Sequence, residues 1–94
     1  MVKVKFLGHI RTRFGLSEIE VPISSEESLM TFLDKLSNLY PELQPVIENI
    51  KESSSEYLIL INGIDVNVHG DVNKVEIKNG DEVIFLPIVH GGIG

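Results

Sequence analysis

The last residues of this 94-residue chain have a composition suited to presenting a carboxylate. Gly91 and Gly92 stand side by side, and Ile93 and Gly94 follow them. A carboxylate that enters a narrow channel of another protein needs flanking residues that lack side chains and adopt any φ, which glycine alone offers. The chemistry that this pattern could support is activation of a main-chain carboxylate by a partner protein. By itself, a glycine-rich end is also what an ordinary frayed terminus contains.

No other residues in the sequence have the spacing of a catalytic or metal site. The histidines, His9, His69 and His90, lack metal-ligand spacing such as i, i+4 on a helix, so we expect no metal site. No motif places a base near the serines of 51–56, which argues against a serine nucleophile. The chain has no cysteine, which excludes disulfides, iron–sulfur clusters and cysteine nucleophiles. We therefore expect no bound cofactor and no enzyme active site.

The charge and hydropathy of the chain exclude further classes of protein. It has 8 basic and 14 acidic residues, a net charge of -6, whereas nucleic-acid binders carry the opposite sign. We therefore expect no direct contact with nucleic acid, although a basic protein partner is compatible with this charge. The sequence has no run of 18 apolar residues, and its start alternates like a strand instead of resembling a signal peptide. These features predict a cytoplasmic protein that does not bind membranes.

The first half of the chain predicts a hairpin followed by a helix. Residues 2–7 and 18–23 alternate apolar and polar side chains, as half-buried strands do, and should pair antiparallel around a loop at 8–16. Ser28 is the expected N-cap of an amphipathic helix that ends before Pro41. The apolar stripe of this helix has the i, i+3, i+4, i+7 spacing; its residues are Leu29, Phe32, Leu33, Leu36, Leu39 and Tyr40.

The second half predicts one or two short helical turns and then three strands. The turns should lie at 43–50, where a second apolar stripe begins. Residues 57–61 are apolar throughout, which favours a central strand covered on both faces. Asn62-Gly63 predicts a type I′ turn into a short strand at 64–66. The last strand is expected at 82–86, with Val83 and Phe85 towards the core.

This order of elements predicts an α+β fold of the β-grasp type. We expect a mixed sheet of four to five strands, with the first and last strands parallel and one main helix across one face. Leu7 should then lie near Leu86, with Ile84 alongside, as an apolar patch on the face away from the helix. Residues 1–94 should form a single domain, with 87–94 as a flexible tail bordered by this patch.

The sequence resembles the β-grasp sulfur carriers and ubiquitin-related modifiers, which include the small subunit of molybdopterin synthase. The resemblance spans the chain. Its specific parts are the start VKVKFLGHIRTRFG, the Asn62-Gly63 turn after an apolar strand, and NGDEVIFLP followed by a diglycine. The resemblance implies a protein that is not an enzyme. Its C-terminal glycine carboxylate would be adenylated by an activating enzyme that uses ATP, and then converted to a thiocarboxylate or joined to an amine.

The resemblance also implies the site residues and the partners. It places the activated C-terminus at Gly91 and Gly92. Together with the apolar patch, it indicates a partner-binding surface made of Leu7, Arg11, Ile84, Leu86, Pro87 and His90. The expected partners are an adenylating activating enzyme and either a molybdopterin synthase large subunit or a thiolation enzyme.

Two features of the sequence differ from the family pattern. The reactive carboxylate of the family belongs to the second glycine, but Ile93-Gly94 follows Gly92 here, so we expect a protease to remove these two residues. Ile88 stands where synthase small subunits usually have a second proline, and His90-Gly91-Gly92 is closer to the ubiquitin-related modifier of transfer-RNA thiolation. An alternative hypothesis is a β-grasp module that binds a protein by its patch and has no tail chemistry.

Overall fold

The computed structural model describes residues 1–52 and 56–88, which form a sheet with helices packed on one face. The strands are β1 (Val2–Phe6), β2 (Glu18–Val21), β3 (Glu27–Ser28), β4 (Tyr57–Ile61), β5 (Ile64–Asp65), β6 (Glu76–Ile77) and β7 (Glu82–Pro87). The α-helices are α1 (His9–Phe14), α2 (Leu29–Leu39) and α3 (Gln44–Lys51), and 3₁₀ turns cover Pro41–Leu43, Val66–His69 and Val72–Lys74.

The middle of the main sheet is a parallel pair made of the first and last strands. The strand order is β2-β1-β7-β4-β5, and β3 pairs with β6 in a separate two-stranded sheet. Val4 lies beside Val83 and Phe6 beside Phe85 in the parallel register, whereas β2 and β4 flank this pair antiparallel. A parallel pair needs a long crossover, which the intervening helices supply. The predicted β-grasp fold is confirmed.

The core closes between α2 and one face of the sheet. The Ser28 hydroxyl accepts a hydrogen bond from the Thr31 N–H at 3.0 Å, so Ser28 is the N-cap as predicted. The rings of Phe6 and Phe85 lie 5.4 Å apart between centroids, which joins the two central strands inside the core. The buried residues that the helix and these strands contribute are Val2, Val4, Phe6, Leu29, Phe32, Leu33, Leu36, Val83 and Phe85.

The segment predicted as a loop at 8–16 contains the short helix α1 instead. Ile10 of this helix is fully buried and Phe14 packs against the core, an i, i+4 pair on one helix face. Gly15 ends the helix in the left-handed conformation at φ 69°, and its N–H donates to the Arg11 carbonyl. Six residues are too few to display a helical period, and the arginines among them give the segment the composition of a loop.

The prediction that β4 is covered on both faces is also wrong. Ile59 and Ile61 are buried, but Leu58 and Leu60 remain half-exposed on the opposite face. Strand β4 does lie inside the sheet, between β7 and β5. Helices α2 and α3 pack on one face of the sheet, and within the described part of the chain no element covers the other. The apolar sequence of β4 therefore continues onto the surface.

The turn at Asn62-Gly63 and the turn that precedes β7 lie at one end of the sheet and are joined by side-chain hydrogen bonds. Asn62 has φ 52° and Gly63 has φ 85°, as the predicted type I′ turn requires. The Asp81 carboxylate is 6% exposed and accepts hydrogen bonds from Asn62 Nδ2 and the Lys78 N–H, both at 2.9 Å. Asn62 Oδ1 in turn accepts from the Glu82 N–H at 2.9 Å. This network sets where β7 begins relative to β4.

We predict that Asp81→Ala lowers the free energy of unfolding by about 2 kcal/mol, because it removes two acceptors from one buried carboxylate. Asp71→Ala is the control, since exposed Asp71 accepts only one backbone bond within the described residues, from the Asn73 N–H at 2.9 Å. It should cost about 1 kcal/mol or less. Urea denaturation at unchanged m-value measures both losses. Equal losses in the two variants would contradict the role given to Asp81.

Candidate functional site

The face of the sheet away from α2 carries an apolar surface that we call the sheet-face patch. Its members are Leu7, Leu58, Leu60, Ile84 and Leu86. Leu60 lies beside Ile84 and Leu58 beside Leu86 in the β4–β7 register. Leu7 is 38% exposed, follows the Phe6–Phe85 pair, and donates its N–H to the Phe85 carbonyl at 3.1 Å. The predicted neighbourhood of Leu7, Ile84 and Leu86 is therefore present, and β4 extends it.

The polarity of this face changes along the strands. At the start of β7, Lys3 lies beside Glu82, and the next outward pair is Lys5 with Ile84. Lys5 Nζ lies 3.1 Å from a Glu82 carboxylate oxygen, with about a third of each side chain exposed, so the pair contributes little stability. The following outward row, Leu7, Leu86 and Leu58, is entirely apolar. The face is charged at the far end and apolar at the end from which the C-terminal segment leaves.

Strand β7 is paired with β4 up to its last residue. Pro87 lies opposite Tyr57, and the Ile88 N–H donates to the Glu56 carbonyl at 2.9 Å. Asn49 Nδ2 donates to the Glu56 carboxylate at 2.6 Å, which links α3 to the same point. The strand thus extends one residue beyond its predicted end. The predicted residues His90, Gly91 and Gly92 lie outside the described residues.

Arg11 is exposed on helix α1, which packs beside β7. The first acidic residue of the chain is Glu18, so Lys3, Lys5, Arg11 and Arg13 precede any carboxylate in the sequence. Arg13 stacks over the Phe14 ring at 5.4 Å, and no salt bridge within residues 1–52 and 56–88 involves either arginine. The molecule is acidic overall, but Lys3 and Lys5 are paired with Glu18 and Glu82, so Arg11 and Arg13 supply the local positive charge after β1 that suits acidic groups on a partner.

One groove in the described part of the chain is lined by charged side chains. This groove of about 410 Å³ contains Asp71, Lys74, Lys78 and Asp81, but both Asp81 oxygens are engaged in the turn network. Residues 1–52 and 56–88 hold no cluster of three metal-ligating side chains. Within these residues, no helix is both long and apolar enough to cross a membrane.

Sequence reasoning missed Leu58 and Leu60 as members of the patch. Their strand is apolar at every position, so alternation could not separate a core face from a surface face. The register of β4 against β7 decides it, because Leu58 and Leu60 pair with outward-facing Leu86 and Ile84. The alternation of β7 together with the strand order could have identified them.

A model of the ThiS family matches residues 4–92 of the chain. No curated protein matches it. Among solved structures, the small archaeal modifier protein 1 of Methanosarcina acetivorans is 32% identical, with a TM-score of 0.70 over 97% of this chain and 95% of that one. Urm1 of Trypanosoma brucei is 23% identical, with a TM-score of 0.72 over 97% and 94% of the two chains. A chain in the complex of subunits 1 and 2 of molybdopterin-converting factor from Helicobacter pylori is 22% identical, with a TM-score of 0.53 over 97% of both chains.

The different burial of neighbouring residues in β7 predicts losses of stability of different size when each is replaced by threonine. Val83→Thr places a hydroxyl in the core and should lower the free energy of unfolding by about 1–3 kcal/mol. Ile84→Thr changes a half-exposed residue to another β-branched one and should cost less than about 1 kcal/mol. Chemical denaturation of both variants measures the difference. A loss at Ile84 as large as that at Val83 would mean that the patch is covered.

Proposed function

This chain belongs to the ThiS family, and we propose that it acts as a carrier whose own Gly92 carboxylate is the reactive group. The family match confirms the resemblance to the small β-grasp sulfur carriers and ubiquitin-like modifiers that the sequence indicated. Proteins of this kind are substrates of other enzymes and not catalysts. We also propose that this chain is located in the cytoplasm, and this part of the proposal rests on the sequence alone.

The observation that carries the proposal is the position of the sheet-face patch at the end of the sheet from which the C-terminal segment leaves. Leu7, Leu58 and Leu86 form the apolar row nearest to Pro87. A partner that covers this row lies next to the residues that follow. Residues 89–92 can extend at most roughly 14 Å beyond Ile88, at about 3.3–3.6 Å per residue. Docking on the patch therefore leaves the diglycine within reach of a nearby active site.

The proposed chemistry takes place on the partner. In the activating enzyme, the Gly92 carboxylate attacks the α-phosphate of ATP, forming an acyl-adenylate and releasing pyrophosphate. Hydrosulfide then displaces AMP and leaves a thiocarboxylate; an amine in its place gives an amide. ATP is a substrate of that enzyme, and we propose no cofactor for this chain.

The two residues after Gly92 must be removed before this chemistry. Ile93 follows Gly92 in the sequence, so the Gly92 carbonyl is part of a peptide bond and has no free carboxylate. We therefore propose that a protease cleaves the Gly92–Ile93 bond.

The proposed partners are the adenylating enzyme and a protein that uses the sulfur. The Helicobacter pylori chain to which this one is similar was solved as a complex with a second subunit, and this supports a partner of the molybdopterin synthase large-subunit kind. The likeness to Urm1 equally supports a thiolation enzyme or conjugation to lysines.

We predict that a chain ending at Gly92, incubated with ATP, a sulfur donor and the adenylating enzyme from the same cells, gains the mass of one sulfur in place of one oxygen. The chain ending at Gly94 is the matched control and should stay unchanged, because its diglycine carries no free carboxylate. Intact-mass spectrometry detects the exchange. Charging of the Gly94 chain at its own terminus would contradict the trimming step.

We predict that Leu86→Glu weakens docking to the adenylating enzyme by about tenfold or more, because it puts a charge in the centre of the apolar row. Leu39→Glu is the control: Leu39 is 54% exposed at the end of α2, on the other side of the sheet. Both variants change the net charge equally, so the long-range effect of net charge on association with the partner is the same in both. Titration calorimetry should show weakening for Leu86→Glu alone, and equal weakening would disqualify the patch.

The second candidate function is a β-grasp module that binds a protein through the sheet-face patch without tail chemistry. It is favoured by Ile93-Gly94, which leaves Gly92 without a free carboxylate in the sequence as it stands. Deletion of residues 91–94 separates the two functions, because a module keeps its binding and its cellular activity whereas a carrier loses the activity and keeps the binding.

A further inference from the structure

Gly8 lies against the last residue of the last strand. Its φ is 63° and its ψ is -145°, a backbone conformation open almost only to glycine. A Cβ atom built on Gly8 would lie 2.7 Å from Pro87 Cγ and 3.2 Å from Pro87 Cδ. The first of these distances is much shorter than the normal van der Waals contact distance between two carbon atoms. The proline ring therefore occupies the space that any side chain at position 8 would need.

Gly15, at the other end of the same helix, shows that this contact is not a general requirement of α1. Gly15 also has a positive φ, 69°, but a Cβ built on it meets nothing within 4 Å. The need for glycine at position 15 is thus explained by the helix C-cap alone. At position 8 there is a second requirement, which comes from a residue 79 positions later in the sequence.

Pro87 is held from its other side as well. It lies opposite Tyr57, and the Tyr57 ring lies 6.1 Å from the His9 ring. The residue after Gly8 thus contacts the residue opposite Pro87. Together Gly8, Pro87, Tyr57 and His9 form a closed circuit of contacts, which we call the exit ring. It lies at the end of β7.

The chemistry of proline explains why a packing contact is used here. The Phe85 carbonyl accepts from the Leu7 N–H, so Phe85 and, by alternation, Pro87 direct their main-chain polar groups towards β1. Proline has no N–H to donate on that side. Beyond the Leu7–Phe85 bond, β7 is therefore positioned on the β1 side by the fit of the Pro87 ring against Gly8. On the β4 side the Ile88–Glu56 hydrogen bond remains.

We propose that Gly8 is a positioning residue for the C-terminal segment: its missing side chain seats Pro87 and so sets the direction in which the chain leaves the sheet beside the sheet-face patch. The catalytic consequence rests on the proposed function, since it concerns delivery of Gly92 to an adenylating enzyme. The structural consequence does not depend on the proposed function. A side chain at position 8 must displace the proline ring and, with it, the Ile88–Glu56 hydrogen bond.

A double-mutant cycle tests this proposal. Gly8→Ala introduces the clash, Pro87→Ala removes the ring atoms Cγ and Cδ, and the double variant contains neither clash nor ring. Gly15→Ala, alone and combined with Pro87→Ala, is the control for a side chain at a positive φ beside α1. All variants are made in the chain ending at Gly92. The first readout is the exchange rate of the Ile88 amide hydrogen, with the Leu60 amide in the middle of the sheet as the internal reference.

We expect Gly8→Ala to speed exchange at Ile88 by about tenfold or more relative to Leu60, because local opening of the strand end suffices for it. Addition of Pro87→Ala should bring the Ile88 rate part of the way back to that of Pro87→Ala alone. The clash is then absent, whereas the backbone strain of a side chain at φ 63° remains. Gly15→Ala should leave the rate unchanged. If Gly8→Ala leaves Ile88 unchanged, or if Pro87→Ala gives no rescue, the proposal is wrong.

The second readout is steady-state adenylation of the same variants. Gly8→Ala should lower kcat by about tenfold to a hundredfold with KM unchanged, since misplacement of a reacting group by 1 Å has effects of this size. The patch itself is intact in this variant. If the unsubstituted chain ending at Gly92 is not adenylated, the proposed function fails, whereas amide exchange still decides whether Gly8 seats Pro87. If exchange at Ile88 changes as expected but kcat does not, Gly8 is structural only and its positioning role is overturned.

Discussion

The parallel pairing of β1 with β7 is the interaction on which the rest of this structure depends. Because the two strands run in the same direction, both of them end at the same edge of the sheet. The turn after β1 and the segment after β7 therefore become neighbours, although they are about 80 residues apart in sequence. This pairing brings Leu7 next to Leu86 and Gly8 next to Pro87, and it packs α1 beside the last strand.

The alternation of the strands divides the sheet into a core face and a surface face. Val83 and Phe85 point to α2, whereas Ile84 and Leu86 point away from it. Because side chains alternate with a period of two, a slip of one residue in the strand register would exchange the core face and the surface face. The helices supply apolar cover for one face only, and the described chain leaves the other open. An apolar row that remains on a surface is what a protein partner would cover.

Much of this arrangement could be read from the sequence where a local period reports the local structure. The alternation of β1 and the apolar stripe of α2 predicted their elements and most of their buried faces, and Ser28 marked the start of the helix. Leu39 of that stripe is instead 54% exposed, because it lies at the end of the helix. Helix α1 was missed because its six residues do not complete two turns, so only Ile10 and Phe14 report its buried side. Leu58 and Leu60 were placed on a covered face because an all-apolar strand contains no sign of which side faces water.

Local sequence patterns were enough to show which residues alternate, that the last strand ends close to Pro87 and that a diglycine follows. These are properties of neighbouring residues, whose φ preferences and side-chain spacing act within a few positions. The tertiary structure alone decided that Leu58 and Leu60 join the patch, and that Gly8 must lack a side chain because of Pro87. Those facts depend on the register between strands distant in the chain. That register is set by packing of the whole core and by the Asn62–Asp81 network, which no local pattern encodes.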